Sequence, residues 1–180
     1  MSPISPVRLI PMICPACQTP IPARADERAW VCATCQTGYL LGVDGTLCPQ
    51  EIFFSNTIKP GVRGKPFWVA LGEVKISERS TYSGNRSSEA SQYWSVARLF
   101  YIPAFETAIE DIVDTSMALL NSPVQVQPGP PVAFLAVTTP PEDLPALAEF
   151  IVYSMEARRS DNLKTLRFSL RLDKPQLWII

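Results

Sequence analysis

The chain has 180 residues, 47% of them apolar and 18% charged, with a formal net charge of −1. That composition can build a core and excludes a wholly disordered chain, while the near-neutral charge excludes a whole-protein field that would draw nucleic acid or an anionic membrane. Histidine is absent, which removes the commonest acid–base group near neutral pH, every Ser-His or Cys-His nucleophile pair and every zinc site with mixed His ligands. An enzyme on this chain would have to work through carboxylates, Lys, Tyr or a cofactor, so catalysis is disfavoured.

The length fits one ordinary domain plus a small appended module. Met1 to Pro11 carries one Arg and three prolines and has no secretory apolar region. The longest apolar stretches, such as Leu99 to Phe105, fall far short of the roughly 18–20 residues that span a bilayer. A cytoplasmic protein without a membrane span is expected, and that compartment favours metal over disulfides for paired cysteines.

Cys14-Pro15-Ala16-Cys17 is answered after 14 intervening residues by Cys32-Ala33-Thr34-Cys35. Each C-x-x-C turn converges two sulfurs on one ion, and two such turns complete a tetrahedron at about 2.3 Å per Zn–S bond. Cys14, Cys17, Cys32 and Cys35 are therefore the expected ligands of structural Zn2+. Four thiolates leave no position for water, so the metal is not expected to be catalytic. A rubredoxin-like iron centre uses the same ligands, but the shorter spacing here and the lack of another redox signature favour zinc. Cys48-Pro49 reads as half of a third knuckle without its partner, and Cys48 as a plain buried thiol rather than a spare ligand or reactive cysteine.

Around the cysteines, Trp30-Val31, Tyr39-Leu40-Leu41 and Thr46-Leu47 read as short strands, with Asp44-Gly45 turning the last hairpin. The C-P-x-C knuckle and the order knuckle, strand, knuckle, strand, turn, strand resemble the zinc-ribbon family over about 40 residues, 9–48. Gln18 and Gln36 depart from it, since glycine often follows each second ligand there. Zinc ribbons often contact nucleic acid or proteins. Between residues 1 and 50, Arg8, Arg24 and Arg28 are matched by Asp26, Glu27 and Asp44. A neutral module with one exposed-looking Trp lacks phosphate-neutralising charge, so protein contact or self-association is the expectation.

Residues 49–64 read as a linker in which only Ile52-Phe53-Phe54 can pack, docking the ribbon onto the larger domain. Residues 65–180 read as an α+β domain of order β-β-α-β-α-β-β, with a mainly antiparallel sheet and two covering helices. Its first strand spans Pro66 to Ile76 and its second Tyr93 to Ile102, joined by a long, mobile, Ser-rich tip over 77–92 that carries Arg79 and Arg86. Ala104 to Asn121 has a helical apolar face, with Glu106, Glu110 and Asp114 on the solvated one. A Pro-rich turn over Ser122 to Pro131 leads to a central strand, Val132 to Val137. Thr139-Pro140-Pro141-Glu142 reads as a capping box opening a helix buried along Leu144, Leu147, Ile151 and Met155 and closed by Arg158-Arg159. Leu166, Phe168, Leu170 and Leu172 alternate with Arg167, Ser169, Arg171 and Asp173 as a half-wet strand, and Leu177 to Ile180 forms the last.

Charge is segregated along this domain: residues 99–156 carry eight acids and no base, while 57–98 carry seven bases against three acids and 157–180 carry six against two. Such separation suits complementary protein docking. Glu73-x-Lys75 matches half of a metal-dependent nuclease motif, but it lacks an upstream acid on a neighbouring strand. No glycine-rich phosphate loop is present. The Pro66-Phe67-Trp68 strand and Tyr101-Ile102-Pro103-Ala104-Phe105 resemble bacterial proteins that set a zinc ribbon before such a domain, a resemblance that implies no activity.

These observations favour a zinc-stabilised, non-enzymatic protein-interaction or assembly component. A nucleic-acid-binding protein using the ribbon and the basic hairpin tip is the second expectation, and an enzyme with a carboxylate site around Glu73 between the domains the third.

Overall fold

The computed structural model describes residues 10–124 and 127–180. Met1 to Leu9, which hold most of the stretch read as leaderless, and Gln125-Val126 in the Pro-rich turn lie outside the described residues. The chain divides into two compact units, Met1–Glu51 and Ile52–Ile180.

The first unit is a three-stranded antiparallel sheet of β1 (Ala29–Val31), β2 (Gly38–Leu41) and β3 (Leu47–Pro49), in that order. Period-two alternation sorts its side chains. Leu41 and Leu47 pair across β2 and β3 and pack on the core with Tyr39, whereas the intervening Leu40–Cys48 pair points the other way. Cys48 is therefore exposed, not the buried thiol its composition suggested. Trp30 is corrected in the opposite sense. It is 6% exposed, and its indole N–H donates to Glu27 Oε2 at 2.9 Å.

The second unit mixes a five-stranded, antiparallel-rich sheet with three α-helices. Its organising element is β5 (Pro66–Ser83), whose β-branched and aromatic start suits a pleated, buried surface. On one flank it pairs with β6 (Arg98–Pro103) from Phe67 to Gly72. On the other it pairs first with β8 (Gln176–Ile179) and then, from Gly72 onward, with β7 (Asn162–Leu172). Thus β7 and β8 lie end to end along one flank, and Pro175, which has no N–H to donate, sits at the break. β4 (Ile52–Phe54) pairs with β8 in parallel, so the three residues read as docking part of a linker are an edge strand of this sheet. Gln127 and Gly129 cover its outer edge through bonds to Asn56 and Phe54.

α2 (Ile109–Asn121) packs on β6, where the Ser116 hydroxyl donates to the Tyr101 carbonyl at 2.8 Å. α3 (Leu144–Ala157) packs on β6 and β7 and buries Leu144, Ala148, Ile151 and Val152. Phe67, Val69 and Tyr101 form a further cluster with Phe105, Leu119, Trp178 and Ile180. Each large side chain buried in this way contributes about 1.5–3 kcal/mol.

Several expectations change. The mobile tip over 77–92 is instead the far half of β5 followed by α1 (Ser87–Tyr93), because β7 pairs with that half as far as Ser83, through three register shifts. The second strand starts at Arg98, not Tyr93. α2 starts at Ile109, since Ala104 is held by bonds from its N–H to Pro66 and from Thr138 to its carbonyl. Val132 to Val137 is no strand: only Phe134 bridges, to Gly64, although Val137 is fully buried. No capping box forms at Thr139. Its carbonyl accepts the Trp68 indole N–H at 2.8 Å, a 3-10 turn occupies Pro141–Asp143, and α3 begins at Leu144 without a side-chain cap.

Candidate metal centre

The two cysteine turns are built from the same hexapeptide, Cys-x-x-Cys-Gln-Thr, at 14–19 and 32–37, and they fold identically. In the first, the Cys14 N–H donates to the Thr19 carbonyl and the Gln18 N–H to the Cys14 carbonyl, both at 2.9 Å. In the second, Cys32, Thr37 and Gln36 repeat those bonds at 2.9 Å. Closing the turn needs a left-handed residue after the second cysteine, and Gln18 and Gln36 adopt it with φ of 61° and 59°. Their side-chain amides donate back to the Pro15 and Ala33 carbonyls, at 3.3 and 2.9 Å. Local side-chain bonding of this kind supports a conformation that otherwise favours glycine.

The turns bring Cys14, Cys17, Cys32 and Cys35 together with all four sulfurs within 4.8 Å of one another, a group that can hold a metal ion. Cys14 and Cys35 sulfurs are 3.6 Å apart and those of Cys17 and Cys32 3.5 Å apart, far beyond the roughly 2.05 Å of a disulfide. Cys14 and Cys32 are buried, Cys17 is half-buried and Cys35 is exposed. Ile21, Trp30 and Tyr39 wall the buried side, with Met12, Leu41 and Leu47 packed around them.

Outer contacts also follow the repeat. The Thr19 hydroxyl lies 3.3 Å from Cys17 Sγ and the Thr37 hydroxyl 3.3 Å from Cys35 Sγ. The Tyr39 hydroxyl lies 3.4 Å from Cys14 Sγ. Burial pushes the Cys14 thiol up, but the Tyr39 hydroxyl and the amides of Cys17 and Ala16 outweigh it and bring the thiol down to about 6. Hydrogen bonds from Thr37 lower Cys35 as well. Donors aimed at sulfur favour the thiolate, which is the form that binds metal. The sequence does not mark Thr19, Thr37 or Tyr39 as sulfur contacts, although the repeated Gln-Thr after each second cysteine is there to be read.

The second unit holds a different polar centre. Arg79 on β5 is buried and donates from Nε to Glu156 at 2.9 Å and from both terminal nitrogens to Asp161 at 2.7 and 2.8 Å. The Trp94 indole reaches Glu156 at 2.8 Å, Arg159 reaches it at 2.8 Å, and the Arg86 N–H reaches Asp161 at 2.7 Å. Arg79 beside it holds the Asp161 carboxyl well below the usual carboxylate range. Arg79 is thus an interior ion, not a group presented on a basic tip, and Arg86 pairs with Glu89. Glu73 pairs with Arg171 at 3.0 Å on the exposed face of the sheet. Among the described residues, the four cysteines are the only group of three or more His, Cys, Asp or Glu side chains placed so that it could hold a metal ion. No helix among the described residues is long and apolar enough to cross a membrane.

No protein-family model, curated protein or solved structure matches the chain.

Proposed function

We propose that the chain is a zinc-stabilised, non-enzymatic protein-interaction or assembly component of the cytoplasm, with a zinc ribbon as its N-terminal unit. The observation that carries this reading is the four-sulfur group. A tetrahedral ion with bonds of about 2.3 Å sets its ligand sulfurs about 3.8 Å apart, and the 3.6 and 3.5 Å pairs already lie near that edge length. Four cysteines close the sphere, so the residues support a structural ion that fixes the two knuckles, with no open position for substrate or water. Iron can use the same four sulfurs, but the short stretch between the two C-x-x-C turns and the lack of another redox signature favour zinc.

The partner is another polypeptide, consistent with a near-neutral N-terminal unit, in which Arg8, Arg24 and Arg28 are nearly matched by Asp26, Glu27, Asp44 and Glu51, and a second unit with segregated charge. The test is crosslinking and purification of the full chain from its native cells. The reading expects a stoichiometric polypeptide whose recovery falls when Cys14→Ser removes the metal. Recovery of nucleic acid alone, or of nothing, would overturn it.

A further inference from the structure

One stretch of β5 is left without a neighbour on one flank. The Leu71 carbonyl accepts the Asp173 N–H at 2.9 Å, so the backbone groups of Leu71, Glu73 and Lys75 point toward β7, and those of Gly72, Val74 and Ile76 toward β6. β6 meets β5 only as far as Gly72, opposite Arg98. The chain before Arg98 then turns away. Arg98 donates to the Tyr93 carbonyl at 2.8 Å and lies 3.5 Å over the Tyr93 ring, while Trp94 is pinned to buried Glu156. These contacts hold residues 94–97 off the strand.

The result is a cavity of about 380 Å3 between Glu73–Ile76 on one wall and Ser91 and Trp94–Ala97 on the other. Among the described residues, no turn, helix or side chain pairs with the Val74 and Ile76 backbone from this side. Val74 is only 3% exposed, so water reaches little of it, and unpaired backbone groups in such a place are costly.

We infer that this gap is a docking site for an extended peptide segment of a partner protein, added to β5 in line with β6. Backbone pairing with Val74 and Ile76 would supply the binding, and the alternating side chains the selection. Residues opposite Val74 and Ile76 would turn small apolar side chains toward Trp94. The residue between them would lie beside Lys75, which is exposed and has no ion pair among the described residues, so an acid fits there. The lysine also discourages purely apolar edges. The inference rests on the protein-interaction reading and names where the contact falls.

The test titrates the zinc-loaded full chain, followed by amide NMR, with Ac-Ser-Val-Asp-Val-Ser-NH2. Shifts centred on Val74 and Ile76 are expected. N-methylation of both valines should weaken binding about tenfold or more, since two backbone bonds are lost, and N-methylation of the Asp should leave it unchanged. Lys75→Glu should weaken this peptide and restore binding to its Val-Lys-Val counterpart. Absence of shifts at Val74 and Ile76, or equal binding by the valine-methylated peptide, overturns the inference. If the edge fails but native-cell crosslinking still recovers a stoichiometric polypeptide from the Lys75→Glu chain, the inference alone falls and the protein-interaction reading stands.

Discussion

The two units solve the problem of a folded interior in different ways. Five buried residues make the core cluster of the N-terminal unit, and two of them, Cys14 and Cys32, are metal-ligand candidates. So small a module buries little apolar surface to offset chain entropy, and in the proposed reading coordination stands in for area. The second unit buries a broad sheet under helices and can enclose Arg79, Glu156 and Asp161 inside it. Its ions sit inside a fold with an apolar core of its own, whereas in the first unit the proposed ion would fix the geometry.

The largest effect should therefore come from removing metal. Chelation, or Cys14→Ser, is expected to collapse the amide spectrum of residues 10–51 while the second unit keeps its dispersion, because apparent metal-binding energies of about 10–16 kcal/mol are folding energy in such modules. Collapse of both units together would break the contrast. Next comes Asp161→Asn, which leaves Arg79 short of a carboxylate in the interior. A loss of about 3 kcal/mol is expected in denaturant unfolding of the second unit. Because the folded Asp161 carboxyl is held below its unfolded range, its contribution is complete above about pH 4 and fades as pH falls below that. Stability measured at pH 7 and pH 3 should show this loss in the natural chain and a smaller one in the variant.

Ile151→Val trims a fully buried helix residue and should cost about 1 kcal/mol. It should leave metal affinity unchanged. The smallest effect belongs to Gln18→Gly, which relieves the left-handed backbone but gives up the bond to Pro15. A gain of about 0.5 kcal/mol in the metal-loaded N-terminal unit is expected from chelator competition. A large loss would show that the glutamine side chain matters more than backbone strain.

What the sequence revealed depended on how local the physics was. Each cysteine turn is closed within six residues, so ligand spacing could be read directly, and the alternation from Leu166 to Leu172 emerged as half-buried strand. Arg79 could not be read that way. Its partners lie 77 and 82 positions along the chain, and its Ser-rich surroundings look like loop until β7 pairs with them. The apolar run from Val132 misled for the opposite reason: burial alone explains it, and burial does not require a ladder. The repeated Gln-Thr was legible but gained meaning only once both glutamines proved left-handed.

The central claim is best tested by weighing the intact protein under native conditions and analysing its metal. One zinc per chain is expected, lost with each of Cys14→Ser, Cys17→Ser, Cys32→Ser and Cys35→Ser and retained in Cys48→Ser. A chain that folds its N-terminal unit without metal, or keeps its metal after Cys14→Ser, would contradict it.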